Sequence, residues 1–498
     1  MKNEAQIYDL LFSQPRPKYS SLLTSATPNK FGDPRTRNKS KIMRATTCTL
    51  LHAATAFLLA SCGQASSQQF TEINIGPAPG FDPGYREFCQ ISLNGGDPEQ
   101  HAVLFAFYGD YQNALEQATK DASVQGNPFE YLQFGGMGTE NNGLLDKANS
   151  ILNNPEESEA AKAQARMLIA FLTGPASTEE ALSNARPTSA LEYIADQAGN
   201  YHFTLINEAH YNSQHRNFTE RLLQPLWEKG YRYLALEALS HQDTLLQQRG
   251  YPVRSTGYYT KDAHFGNLIR EALRIGYTLI SYETQGGNRG TARDRDQALN
   301  LYRQTLQQDK NGKVLVHAGY SHINELGDRN YEPMGMQLKR LAEQDILTVS
   351  QEKMSGLNVP EKEHHYYRYA DSTFHFDQPT VFLNQQGEPV LDPISSGNLD
   401  IQVYHPRTHF LDGRPGWMMD GKKVQVPLPE PMNSYKGHLL RAIREGEQPD
   451  AVPVDQFVID GKKPLILPAG TYVLQVVDCE GALVKAYRMS VNGKGGSN

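Results

Sequence analysis

Glu208 and His210 stand two residues apart, and His215 follows five later, in the run Asn207-Glu208-Ala209-His210-Tyr211-Asn212-Ser213-Gln214-His215. A carboxylate beside an imidazole suits proton transfer, because the acid can orient the ring and stabilise its charged form. The same groups can also ligate a metal ion. The run follows an apolar stretch, Tyr201-His202-Phe203-Thr204-Leu205-Ile206, that reads as a buried strand. Titratable groups at such a strand end emerge where the backbone leaves the sheet, the edge at which open α/β sheets bind ligands.

Three later strand ends carry groups of the same kind. Tyr233-Leu234-Ala235-Leu236 ends in Glu237, and Leu279-Ile280-Ser281-Tyr282 ends in Glu283. Val314-Leu315-Val316 runs into His317, Tyr320 and His322. Parallel strands start and stop together, so these side chains are expected along one rim of one sheet. Tyr258-Tyr259, in the loop after the second strand, faces the same rim as a phenolate ligand or a substrate wall. Three chemistries fit. Carboxylates and imidazoles can hold a divalent metal that acidifies bound water. Without metal, a tuned His or Glu can act as general base on water attacking an ester or amide. His and Tyr can ligate haem iron. The sequence has no HExxH helix, and the Gly319-x-x-His322 spacing lets a tight turn aim the imidazole back across the strand end.

The elements that must position these groups alternate clearly over 201–355. Strands are expected at 201–207, 231–236, 277–282, 313–316 and 346–349, with helices near 213–229, 264–275, 292–308 and 335–344. Gly230 and Gly276 read as helix C-caps, and Pro225 as an interruption within the first helix. Strands spaced by single helices imply parallel pairing and a mostly parallel α/β core.

Glu208-x-His210 with Asn212 and His215, Leu236-Glu237, and Gly319-x-x-His322 resemble the Tiki/TraB-like superfamily, which includes ChaN-like haem-binding proteins and, more distantly, erythromycin esterases. This chain has Asn207 where the family's first motif has Gly. Arg293-Asp294-Arg295-Asp296-Gln297-Ala298-Leu299-Asn300 resembles the family helix that opens with Arg and carries a later Asn. The resemblance covers roughly 150 residues. It implies a catalytic set of Glu208, His210, Glu237, Arg293 and His322. It also implies a ligand set of Glu208, His210, His215, Glu237 and His322 for a divalent metal, with His215 matching the ChaN-like version. Glu283, His317, Tyr320, Tyr258 and Tyr259 would line the ligand.

The flanks read differently. Residues 1–61 hold nine Lys/Arg and three Asp/Glu, leaving an acidic body of net charge −13, which argues against nucleic-acid binding. Lys41-Ile42-Met43-Arg44, an uncharged stretch and Leu59-Ala60-Ser61-Cys62 follow the order of a secretory signal. Its end resembles a bacterial lipobox, which implies acylation of Cys62 and anchoring to a lipid membrane in the cell envelope (outer membrane, periplasmic or surface face). Residues 1–42 are polar and patternless and Met43 suits a signal-peptide start, so translation is expected to begin at Met43. A tether over 62–100 and a helical lead-in over 101–200 are expected, with one strong helix at 161–172. A β-sandwich-like domain is expected over 356–498, with an inserted helix near 435–445 and an aromatic strand around His364-His365-Tyr366-Tyr367. Cys89 and Cys479 are left either to pair in an oxidising compartment or to remain buried thiols.

The leading expectation is a membrane-anchored extracytoplasmic hydrolase for an ester or amide of a small molecule or peptide. In it Glu208 and His210 activate water or hold a metal. The alternatives are a haem- or metal-binding lipoprotein without turnover, and an inactive scaffold whose β-rich domain binds a partner.

Overall fold

The computed structural model describes residues 70–74, 78, 80–91, 96–120, 149–157, a few positions between 162 and 169, and 181–493 apart from 328–330, 393–394 and 420. The signal segment, Cys62 and most of the expected 161–172 helix lie outside the described residues. In chain order the first elements are β1 (Phe70–Ile73), α1 (Pro83–Cys89), α2 (Pro98–Phe107), α3 (Tyr111–Lys120), β2 (Arg186–Ser189) and α4 (Ala190–Ala198). The alternating region then supplies β3 (Phe203–Glu208), α5 (Ser213–Glu228), β4 (Tyr231–Leu236), α6 (Ala263–Ile275) and β5 (Thr278–Ser281). It continues with α7 (Gly290–Gln304), β6 (Lys313–Gly319), α8 (Met334–Ala342) and β7 (Leu347–Ser350).

These strands form a six-stranded sheet in the order β5-β4-β6-β3-β7-β9, with β9 (Ile401–Gln402) at one edge, and every pairing is parallel. All six β3 residues are buried, as expected for a parallel strand covered on both faces. The pleat sends Phe203 and Leu205 to a cluster with Leu301 of α7 and Leu338 of α8. Ile206 goes to a cluster with Phe218 and Leu222 of α5 and Phe265 and Leu268 of α6. Gly230 and Gly276 both adopt positive φ, 94° and 117°, and end the helices just before β4 and β5.

Beyond β7 lie α9 (His365–Phe374), β8 (Thr380–Leu383), a short hairpin of β10 (Phe410–Leu411) and β11 (Arg414–Pro415), and β12 (Lys423–Val426). The chain ends in β13 (Leu439–Arg444), β14 (Asp455–Val458), β15 (Leu465–Pro468), β16 (Gly470–Val477) and β17 (Leu483–Val491). An antiparallel sheet runs β1-β17-β16-β13-β14, separate from the parallel one, and β12 pairs with β15. Two local expectations are corrected. The aromatic run at 365–374 is a helix, because Tyr366, Tyr367 and Ala370 recur at helical spacing and bury one face. The stretch near 435–445 is a 3₁₀ turn (Glu430–Tyr435) followed by β13, whose residues Leu439 to Ile443 are buried on both faces.

The chain crosses the boundaries expected between its regions. β1, from the tether, is an edge strand of the C-terminal sheet; β2 pairs with β8; and β9 joins the parallel sheet from beyond residue 355. A Cys89–Cys479 disulfide ties the end of α1 to the turn between β16 and β17.

Candidate active site

Register places the strand-end groups together. Glu208 of β3 lies opposite Gly319 of β6, and Leu236 of β4 lies opposite both His317 and Ser281. Glu208, Glu237, Glu283 and His317 therefore leave the sheet at nearly one level.

Glu208 is buried and fully engaged. Arg216 Nε donates to Oε2 and Nη2 to Oε1, each at 2.7 Å. His210 Nδ1 lies 2.9 Å from Oε1 and His317 Nε2 2.9 Å from Oε2. Burial alone would raise the Glu208 pKa; the Arg216 guanidinium and the two imidazoles outweigh it and hold the acid well below the usual carboxylate range. Arg216 also donates to the His210 carbonyl at 2.7 Å and faces Asp262 at 3.4 Å, which accepts from Ser213 Oγ and caps α6. The second nitrogen of His317 finds no partner among the described residues.

With Nδ1 facing an ionised carboxylate, His210 carries its proton there, and Nε2 keeps a lone pair. The ring stacks on Tyr259 (centroids 3.8 Å, planes 14° apart) and meets Tyr320 edge-on at 4.9 Å. A side-chain carbon at Gly319 would lie 2.4 Å from His210 Cε1, 2.5 Å from its Nε2 and 3.4 Å from Glu237 Oε2, so the imidazole packs directly on this glycine with the Glu237 carboxylate beside it. Gly319 itself has φ −82°, so space, rather than backbone conformation, demands it.

Glu237 accepts from the Gly319 amide at 2.6 Å and pairs with Arg293 Nη2. Burial raises its pKa, but His322, His210 and Arg293 prevail and the net shift is downward. Arg293 also bonds both Glu283 oxygens, with Nε at 3.0 Å from Oε1, and its side chain stays 27% exposed. Its Nη1 lies 2.9 Å from His322 Nε2. A guanidinium only donates, so this nitrogen accepts and the proton sits on His322 Nδ1, 2.9 Å from Asp294 Oδ2. Asp294 takes further bonds from Tyr331 and the Met334 amide.

The other expected residues sit around this centre. His215 is turned into the protein: Nδ1 accepts from the Ala209 amide at 3.1 Å, while Nε2 meets Asn212 and Ser355. Burial, then His405, pushes its pKa well down, so it is a neutral clamp for the loop that carries His210. Tyr320 adopts a left-handed backbone, φ 46°, at a cost of about 1–2 kcal/mol. Its hydroxyl donates to Glu99 of α2 and its carbonyl accepts from Asn207 Nδ2 at 2.8 Å. Asn207 also binds the Gln351 amide at 2.7 Å, so it fastens β3 to the ends of β6 and β7. Tyr258 is exposed and packs edge-on against Phe107. Arg216, Asp262, Asp294 and Glu99 were not foreseen. Arg216 lies eight residues after Glu208, in the first turn of the helix the strand leads into, which is the one local signal that could have found it.

The donor set does not fit a divalent cation. Both Glu208 oxygens are held by Arg216, Arg293 bonds Glu237 and both oxygens of Glu283, and both nitrogens of His215 and of His322 are taken. Among the described residues no group of three His, Cys, Asp or Glu side chains is disposed to hold a metal ion. Tyr320 is poorly suited to ligate haem iron as a phenolate, because burial together with Glu99 raises its pKa and keeps the phenol protonated.

No family model and no curated protein matches this chain. Two solved structures show weak likeness. One, described as the type III effector HopBA1, has 14% identity over 34% of this chain and 87% of its own, with a TM-score of 0.27. The other, described as bacterial protein toxins, has 13% identity over 56% of this chain and 66% of its own, also with a TM-score of 0.27.

Proposed function

We propose that this chain is a lipid-anchored, extracytoplasmic hydrolase that cleaves an ester or amide by metal-free activation of water, a relative of the Tiki/TraB-like group. The observation that carries the reading is the Glu208–His210 pair: an ionised, buried carboxylate 2.9 Å from Nδ1 leaves Nε2 as the base, beside Gly319 and the Glu237 carboxylate.

In this mechanism His210 Nε2 takes a proton from water as its oxygen attacks the substrate carbonyl. Glu208 stabilises the imidazolium that forms. Glu237, on the other side of Gly319, accepts the water's second hydrogen and so orients it. Arg293 faces the developing oxyanion, and neutral His322 on Asp294 fixes the guanidinium. His210 then returns the proton to the leaving group. Tyr259 holds the base in plane.

The Cys89–Cys479 disulfide supports an oxidising compartment, consistent with export ahead of Cys62. The apolar cluster shared by Val426 of β12, Leu465 of β15 and Leu474 of β16 supports reading the antiparallel strands as a small sandwich. The test is hydrolysis of a panel of p-nitrophenyl esters and peptide amides in the presence of EDTA. Turnover by the wild type and its loss in His210→Ala are expected; turnover that His210→Ala retains would remove the proposal.

A further inference from the structure

Away from the rim, Asp82, Phe107, Tyr108, Arg254, Lys261 and Arg441 wall a cavity of about 310 Å³. Its charges do not balance. Arg441 is only 1% exposed, and its hydrogen bonds go to neutral groups: Nη1 to Gln475 Oε1 and Nη2 to the Ala451 carbonyl, each at 2.9 Å. Nε has no hydrogen-bond partner among the described residues, and Asp82 Oδ2 is 3.9 Å away. That same carboxylate oxygen serves Arg254 at 3.4 Å, and Asp82 also caps α1 through the Tyr85 amide at 3.2 Å. Lys261 is a third cation on the wall, held 4.9 Å from the Tyr258 ring centroid.

Among the groups lining the cavity, one carboxylate thus answers three cations, one of them fully withdrawn from water, and Asp450 adds a smaller pull from outside the lining. A buried guanidinium with so little counter-charge is costly, and what restores the balance is an oxyanion that presents acceptor oxygens to the fork. Burial first, and Arg254 second, bring the Arg441 pKa down to about 10, against the opposing pull of Asp82, Tyr108 and Asp450. In the molecule's larger basic cavity, by contrast, Arg270 and Arg274 each have a carboxylate of their own, Glu447 and Glu271, that grips the guanidinium with both oxygens. The Phe107 wall also touches Tyr258 and Tyr259, with ring centroids 5.4 and 6.5 Å away, and so adjoins the loop that holds His210.

We propose that this cavity binds the oxyanion group of a small ligand, a carboxylate or a phosphoryl group, and does so independently of the hydrolytic site. The probes are sodium phosphate and sodium acetate, titrated separately into the full-length protein at pH 7 and constant ionic strength, followed by calorimetry. Saturable binding of at least one is expected. A response to phosphate alone assigns a phosphoryl group, and a response to acetate alone assigns a carboxylate.

Arg254→Gln and Lys261→Gln, on the partly exposed side of the cavity, should each weaken binding by on the order of tenfold. They carry the test because loss of the buried Arg441 can prevent folding. Arg274→Gln, in the other basic cavity, and His210→Ala should bind as the wild type does. Absence of saturable binding for both anions, or binding indifferent to Arg254→Gln and Lys261→Gln, overturns the proposal. Loss of binding in His210→Ala overturns the independence from catalysis.

Discussion

His210 Nδ1 sits 2.9 Å from Glu208 Oε1, while Arg216 grips both oxygens of that carboxylate at 2.7 Å. The acid that orients the base is thus itself fixed by a buried cation, and neither side chain can be altered without exposing the other. Glu208→Gln should abolish turnover and destabilise the fold by about 3–5 kcal/mol, because Arg216 is left buried with only Asp262 nearby. Urea unfolding of Glu208→Gln beside the double variant Glu208→Gln/Arg216→Met checks this. The double variant should recover much of the stability but none of the activity. Equal stability of the single variant and the wild type would argue that the pair is not buried.

Gly319→Ala tests the packing at the base's free nitrogen. The added methyl would lie 2.5 Å from His210 Nε2, although the backbone there tolerates alanine. Turnover should fall by orders of magnitude while overpacking costs only about 1–3 kcal/mol of stability. Unchanged kinetics would place the reacting water elsewhere.

His322 provides the pH signature. Burial and Arg293 lower its pKa, but Asp294 and Glu237 outweigh them, and the net shift is above the ordinary value of 6.5. A raised pKa contributes stability that is fully present below 6.5 and is lost as pH rises through the folded value. Proton NMR titration should show His322 ionising above 6.5, and Asp294→Asn should bring the midpoint down. Protonation also forces Nε2 to give up the Arg293 hydrogen bond, so the acid limb of kcat/KM should follow the same midpoint. A titration below 6.5 would contradict this arrangement.

His215 separates structural from ligand roles. Both its nitrogens are bonded within the loop, so His215→Ala should destabilise the protein by about 1–3 kcal/mol through the amide and side chains left unpaired. Metal content after purification should be the same in His215→Ala and the wild type. Stoichiometric metal lost on this substitution would restore it as a ligand.

The parallel core was legible because its strands are short apolar runs punctuated by C-cap glycines, and the polar residues that end them fall at one level whatever the helices do. Strand order was not, since which strand neighbours β3 depends on crossovers that leave no local pattern. The partners of the site were hidden for a related reason. Arg216, Asp262 and Asp294 read as ordinary charged residues at helix starts, and only tertiary packing turns them inward. Glu99 reaches Tyr320 from 221 positions away. The helix at 365–374 was mistaken because an aromatic run satisfies strand propensity, while helical spacing of its buried residues decides the outcome.

The most direct measurement is ¹⁵N NMR of the His210 ring at neutral pH in the wild type and in Glu208→Gln. The expected result is a single tautomer, protonated at Nδ1 with an unprotonated Nε2, that gives way to mixed tautomers in the variant. A proton found on Nε2 in the wild type would leave the water without its base and contradict the mechanism.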